Sequence, residues 1–157
     1  MTTNLIGNGL ALLLTHPGQF AQLRRNPALI NPCVEECLRY ESPNQLGNRL
    51  VVQPIELCGT RLEPGAYLTL CIGAANRDPG AFASPDRFDV SRSPNPHLAF
   101  AAGAHACAGM SVARLEAQIA LNRVAQRMPD LKLLPSAERS LRARFRGFKR
   151  LPAAVGA

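Results

Sequence analysis

The sequence predicts a mainly α-helical fold with small β-sheets, an α+β arrangement. Two observations carry this prediction. A helical pattern runs from Met110 to Arg127, with apolar residues near the period of an α-helix, and three shorter helical segments occupy residues 3–40. Between residues 49 and 71, short runs rich in β-branched and other apolar residues alternate with turn residues. The 157 residues are 46% hydrophobic and 18% charged, the balance of a globular chain.

The three N-terminal helices are predicted over residues 3–15, 18–25 and 31–40. Each is bounded by a proline, because the residue before proline disfavours the helical conformation. Asn31-Pro32 is expected to open the third helix, with Asn31 as its cap. The first helix is apolar but too short to span a bilayer, and it lacks the basic region of a signal peptide, so no membrane association is expected.

Short strands are predicted at residues 49–52, 55–58 and 67–70, with turns at Gly59-Thr60 and Glu63-Pro64-Gly65. Residues 76–97 are dense in Pro, Asp and Arg and predict a long irregular segment, which in a compact domain usually has a functional reason. After the long helix, the tail from Leu131 to Pro152 alternates in places, at Arg142, Arg144 and Arg146, which predicts a strand or hairpin there.

The charges and cysteines exclude some classes of function. The net charge is +7, concentrated after residue 138, but no nucleic-acid motif accompanies it and aromatic residues are only 5%, so nucleic-acid binding is not expected. A solvated face, or one that meets an acidic protein, is the preferred interpretation. The five cysteines have no disulfide-type spacing, which favours a reducing, cytoplasmic location. Cys33 and Cys37 lack the second pair that a zinc site requires.

One cysteine stands apart from the others. Phe100-Ala101-Ala102-Gly103-Ala104-His105-Ala106-Cys107-Ala108-Gly109 places it in a glycine-containing loop directly before the long helix. The glycines allow the backbone to approach a flat cofactor, and the start of a helix favours negative charge on the sulfur. This setting suits a metal-binding thiolate. The alternative is a structural cysteine in a turn.

A second candidate cluster involves Glu36 and Arg39, which lie three residues apart and share a helix face. From this spacing alone, an exposed surface pair of small energetic value is the simpler interpretation. Pro85-Asp86-Arg87-Phe88, in the irregular segment, is the third part of this pattern.

Together these motifs resemble the cytochrome P-450 family of heme-thiolate monooxygenases. F-x-x-G-x-H-x-C-x-G resembles its heme-binding signature, and E-x-x-R followed by P-x-R-F resembles its structural lock. The resemblance implies heme b (iron protoporphyrin IX) as cofactor, Cys107 as its metal ligand, and contacts from Phe100, Gly103 and Gly109. It also implies that Arg49 and His105 contact the heme propionates. Glu36, Arg39 and Arg87 would form one structural network.

The family's reaction is reductive activation of O2 and insertion of one oxygen atom into an organic substrate, with electrons from a ferredoxin or flavoprotein. The match covers residues 1–157 as the C-terminal portion of one P-450 domain. The family's catalytic threonine would fall on Met1 and its acidic partner before it, so no catalytic residue is assigned. We therefore expect a truncated chain that does not catalyse efficient monooxygenation alone. Four alternatives stay open: a non-catalytic heme-binding fragment, a truncated-gene product, one part of a split enzyme completed by a separate polypeptide, or a full enzyme whose start is misassigned.

Overall fold

A computed structural model, which describes residues 1–156, gives a helical layer flanked by small antiparallel sheets. The α-helices are α1 (Thr2–Thr15), α2 (Pro17–Arg25), α3 (Ile30–Tyr40), α4 (Ile72–Ala75) and α5 (Met110–Arg127). The strands are β1 (Leu46–Leu50), β2 (Ile55–Leu57), β3 (Thr60–Leu62), β4 (Tyr67–Cys71), β5 (Leu131–Leu133), β6 (Glu138–Arg139), β7 (Phe148–Arg150) and β8 (Ala153–Val155). The mixed, mainly helical class predicted from the sequence is confirmed.

The core lies where α1, α3 and α5 meet, because each helix places small or branched apolar residues on the face toward the others. Leu5 and Leu13 of α1, Leu38 of α3 and Leu121 of α5 are almost fully buried there. The helices approach closely at Gly9, where an added Cβ would lie 2.9 Å from a methyl group of Leu121. This packing fixes α3 and α5 relative to each other, and both helices lead into the site.

The start of α3 differs from the expectation. Pro27–Leu29 forms a 3₁₀ turn, and α3 then begins at Ile30, with Leu29 in the capping position and without a side-chain cap. Asn31 is therefore inside the helix rather than its cap. The prediction was wrong because the turn after Pro27 already supplies a helical backbone, so no separate capping residue is needed.

Each sheet has only two strands. β1 pairs with β4 and β2 with β3, while β5 pairs with β8 and β6 with β7. The first predicted strand was displaced, since β1 ends at Leu50, and β3 begins at Thr60, which was expected to lie in a turn. The register of β1 on β4 places Arg49 opposite Leu68. This sheet therefore positions Arg49 at the edge of the site.

Residues 76–97 contain no helix or strand, as predicted. The tail from Leu131 to Pro152 contains β5, β6 and β7, and β6 pairs with β7 as a hairpin, as predicted, although residues 142–144 and 146 lie in the segment between these two strands. Two C-terminal arginines are used in ion pairs: Arg139 and Arg146 contact the Glu41 carboxylate at 2.7 and 3.0 Å. Within residues 1–156, no helix combines the length and apolar character needed to cross a bilayer.

Candidate heme-binding site

The loop from Phe100 to Gly109 is folded tightly around Cys107. Its backbone turns through left-handed conformations at Ala101 and Gly103, with φ of 59° and 67°. The Cys107 N–H donates to the carbonyl of Phe100 at 2.9 Å, and the Cys107 carbonyl accepts from the N–H of Met110 at 3.2 Å. Because Met110 is the first residue of α5, the thiol stands at the positive end of a helix of 18 residues.

The Cys107 loop forms one wall of a cavity of about 370 Å³. Cys107, His105 and Gly109 line it together with Leu5 of α1 and Asn44 after α3. A neighbouring cavity of about 590 Å³ shares His105 and is also lined by Arg49. The Cys107 thiol and the Arg49 guanidinium thus line two neighbouring cavities, and the His105 imidazole lines both.

The glycines of the loop show how closely a flat group can approach. Gly109 has an ordinary φ of −89°, and a Cβ added there would meet no described protein atom within 4 Å. A Cβ at Gly103 would also meet none, although its positive φ independently favours glycine. Neither packing nor backbone conformation demands glycine at Gly109, so the open space beside it is consistent with close approach of a planar ligand. The residues present fit a heme.

Met1 and Thr2 line the same cavity as Cys107. The resemblance places the family's threonine at Met1. The start of α1 therefore borders the cavity that Cys107 lines.

The Glu36 carboxylate is the centre of a buried polar network. Glu36 and Arg39 are both 0% exposed, and the Arg39 guanidinium donates to the two carboxylate oxygens at 2.8 and 2.9 Å. Arg92 donates to the same carboxylate at 3.1 and 3.2 Å, and the Asn95 amide donates at 3.1 Å. The Asp89 N–H adds a bond of 3.0 Å. This network fastens residues 89–95 to α3, and it excludes the surface-pair interpretation.

Arg87 does not take the place that the resemblance implied. Its side chain is 69% exposed and lies 3.6 Å from Asp89, while its carbonyl accepts from Arg39 and Arg92. The neighbouring Phe88 is buried in the core, and this turns the side chain of Arg87 outward. Arg92, which the sequence reasoning missed, supplies the second guanidinium.

A second connection reaches the loop through the fully buried Asn76. Its side-chain oxygen accepts from the N–H of Leu98 at 2.7 Å, and its amide donates to the Ser42 hydroxyl at 2.7 Å. The backbone just before the Cys107 loop is thereby joined to the end of α3.

A second carboxylate cluster is centred on Glu35 of α3, one residue before Glu36. Glu35 accepts two hydrogen bonds from the Arg114 guanidinium, at 2.8 and 2.9 Å, and one from Nε2 of His97 at 3.0 Å. Partial burial alone would raise the pKa of Glu35. The bonds from His97 and Arg114 outweigh this and lower the pKa to about 2. Sequence reasoning did not find this cluster, because its members are 62 and 79 residues apart.

All five cysteines are free thiols, with Cys33 and Cys37 buried in α3. Mutual hydrogen bonding with Cys33, together with burial, raises the pKa of the Cys37 thiol well above its usual value. Among residues 1–156, no group of three or more His, Cys, Asp or Glu side chains is arranged to hold a metal ion.

Comparison with known proteins agrees with this geometry. The sequence model of the cytochrome P-450 family matches residues 3–138. The chain is 55% identical over 132 residues to the biotin biosynthesis cytochrome P-450 of Bacillus subtilis strain 168. That match covers 84% of this chain and 33% of the relative. It is 44% identical over 133 residues to the cytochrome P-450 monooxygenase PikC of Streptomyces venezuelae, covering 84% and 32%.

Solved structures give the same result. The chain superposes with a TM-score of 0.96 and 50% identity on P-450 BioI, crystallised with an acyl carrier protein ligated to hexadec-9Z-enoic acid. This superposition covers 99% of the chain and 41% of that structure. CYP109E1 of Bacillus megaterium in complex with corticosterone gives a TM-score of 0.95 at 35% identity, over 98% and 42%. The chain therefore spans about a third to two fifths of the length of these relatives.

Proposed function

The chain belongs to the cytochrome P-450 family, and we propose that it forms the heme-binding part of a heme-thiolate monooxygenase, with Cys107 as the axial ligand of heme b. The observation that carries this proposal is the position of the Cys107 thiol, at the N-terminus of α5 and on the wall of a cavity shared with His105 and Gly109. When bound, the heme supplies the chemistry of O2 reduction and insertion of one oxygen atom into an organic substrate.

The chain's own side chains have separate tasks in this proposal. Cys107 would bind the iron as a thiolate, whose negative charge the N-terminal end of α5 favours. Arg49 and His105 line the neighbouring cavity and would bind the carboxylates of the heme propionates. Gly103 and Gly109 leave room for the ring, and Phe100 supports the loop. The network of Glu36, Arg39 and Arg92 holds the segment that leads to the loop.

A P-450 reaction needs two electrons, so we propose a ferredoxin or flavoprotein as donor. The free thiols support a reducing, cytoplasmic location as part of the same proposal.

A second proposal is heme binding without turnover by the 157 residues alone. These residues span about a third to two fifths of the relatives' length, so turnover is tested separately from heme binding. The two proposals are distinguished by supplying a ferredoxin, its reductase, NAD(P)H and hydrophobic substrates. Hydroxylated product in step with NAD(P)H consumption supports the monooxygenase; bound heme with uncoupled consumption supports the binding protein. We expect the second result from the 157-residue chain alone.

The ligand assignment is tested by spectroscopy. The chain is loaded with heme, reduced and exposed to carbon monoxide, and a thiolate-type Soret band is expected. Cys107→Ser should abolish that band. Cys58→Ser is the matched control, because Cys58 is also exposed but lies in the turn between β2 and β3. A thiolate-type band that persists in Cys107→Ser would contradict the proposal.

A further inference from the structure

The Glu35 cluster joins three elements whose relative positions the proposed site needs to keep fixed. Glu35 is on α3, His97 ends the irregular segment just before the Cys107 loop, and Arg114 lies in the second turn of α5, just after it. One carboxylate therefore holds both ends of the loop, from residue 97 and from residue 114.

The hydrogen bonds are directional as well as short. Arg114 presents two N–H groups to the two Glu35 oxygens, a bidentate geometry that fixes orientation as well as distance. The His97 side chain is 3% exposed. Its Nδ1 accepts from the N–H of Ala99 at 3.3 Å, which leaves Nε2 to carry the proton that is donated to Glu35. Both ring nitrogens of His97 are thus occupied, one by the loop and one by α3.

The connection continues to the cysteine itself. The Arg114 guanidinium lies 4.7 Å from the centre of the Phe100 ring, a cation–π distance, and the His97 ring lies 6.2 Å from the same ring. The Phe100 carbonyl is the acceptor for the N–H of Cys107. A continuous series of contacts therefore runs from Glu35 through Arg114 and Phe100 to Cys107.

The Glu36 network cannot replace this connection, because it ends at Asn95, before the loop begins. We propose that Glu35 is the positioning residue for Cys107: by holding His97 and Arg114 together, it fixes the loop that presents the thiol. This inference rests on the proposed ligand role of Cys107, but its first test reads the loop without any cofactor.

The test is hydrogen exchange of the 157-residue chain, resolved by peptide mass spectrometry, in Glu35→Gln and Arg114→Lys. Glu35→Gln removes the charge, whereas Arg114→Lys keeps the charge but loses the planar fork. Both should accelerate exchange of residues 98–109 several-fold, because loss of the clamp lets the loop open locally. The matched control is Glu56→Gln, an exposed glutamate on β2, which should leave the loop unchanged.

Global unfolding is monitored in the same samples through the buried thiols. Alkylation of Cys33 and Cys37 should rise by a smaller factor than loop exchange, because local opening of the loop does not expose these thiols. If exchange throughout the chain and alkylation of these thiols rise by the same factor as loop exchange, Glu35 supports the whole fold without a specific effect on the loop, and the proposal is wrong. If loop exchange is unchanged in both variants, the proposal is also wrong. Should Glu35→Gln fail to fold, Arg114→Lys decides the question alone.

A spectroscopic measurement connects the loop to the cofactor. In heme-loaded, reduced, carbon monoxide-treated samples, Glu35→Gln and Arg114→Lys should show a several-fold smaller thiolate-type fraction, while Glu56→Gln matches the unsubstituted chain. An unchanged fraction despite a mobile loop would overturn the link to Cys107. Failure of the positioning role of Glu35 can be distinguished from failure of the ligand assignment. The ligand assignment is decided by the spectrum of Cys107→Ser, whatever the hydrogen exchange of the loop shows.

Discussion

Arg92 and Arg87 offer the sharpest test of how the irregular segment is held to α3. The family resemblance points to Arg87, whereas the structure places Arg92 against the buried Glu36 carboxylate. We therefore compare Arg92→Ala with Arg87→Ala, two truncations of the same side chain type only five residues apart. The structure predicts a large loss of stability for the first and almost none for the second.

The magnitude follows from the contacts removed. Arg92 is 11% exposed; it donates to both Glu36 oxygens and also to the carbonyls of Ala83 and Ser84. Removing the only partner of a buried charge costs about 3–5 kcal/mol. Because Arg39 still pairs with Glu36, the loss is closer to that of a hydrogen bond to a charged group, about 1.5–3 kcal/mol. For a chain of this length, that corresponds to a decrease of roughly 3–12 °C in the melting temperature.

The exposed Arg87 side chain should contribute within about 0.5 kcal/mol. Urea unfolding followed by circular dichroism measures both variants, and equal denaturant slopes confirm that the free energies are comparable. If Arg87→Ala costs as much as Arg92→Ala, or more, our account of the network is refuted. Equal and small losses would mean that Arg39 alone holds Glu36.

Three further outcomes are expected. Gly109→Ala should change the free energy of unfolding by no more than about 0.5 kcal/mol, because an added Cβ meets no described protein atom. The same substitution should weaken heme binding in a titration, and unchanged heme affinity would contradict the proposed fit of the ring. Gly9→Ala should cost about 1–3 kcal/mol by crowding Leu121, whereas Gly7→Ala, whose Cβ would lie 4.0 Å from the nearest side chain, should not destabilise in the same urea titration. The pKa of Glu35 is lowered to about 2 from 4.5, so the stabilising effect of its charge is complete above pH 4.5 and is lost as the pH falls toward 2. The difference in free energy of unfolding between the unsubstituted chain and Glu35→Gln should therefore shrink over that pH range, and a difference that does not change with pH would contradict this prediction.

The helical elements could be predicted because their signals are local. The long helix was expected at residues 110–127 and is found there, since the apolar positions recur at helical spacing. Its buried face was not predicted: Ala117, Leu121 and Ala125 are buried, whereas Val112, Leu115 and Ile119 are exposed. The sheets were less predictable. β1 and β4 are joined by backbone bonds between residues 46–50 and 67–71, and nothing in either segment alone specifies that register.

The site shows the same division between local and distant information. Cys107, His105 and the glycines lie within one short motif, so sequence could bring them together. Arg92 could not be chosen over Arg87 in advance, because the choice depends on which side chain turns outward when Phe88 is buried. No signal in the sequence joins Glu35 to Arg114; only the packing of α3 against α5 does so.

The two adjacent glutamates of α3 explain how one helix can hold two segments at once. Successive residues of an α-helix point about 100° apart, so Glu35 and Glu36 face different neighbours although they are joined by a single peptide bond. Glu36 binds residues 89–95, before the loop, and Glu35 binds residues 97 and 114, on either side of it. An inserted alanine between them would rotate one carboxylate away from its partners while leaving the other in place. One turn of α3 thus holds both the chain before Cys107 and the helix after it, which is the arrangement needed to present a thiol at a fixed position.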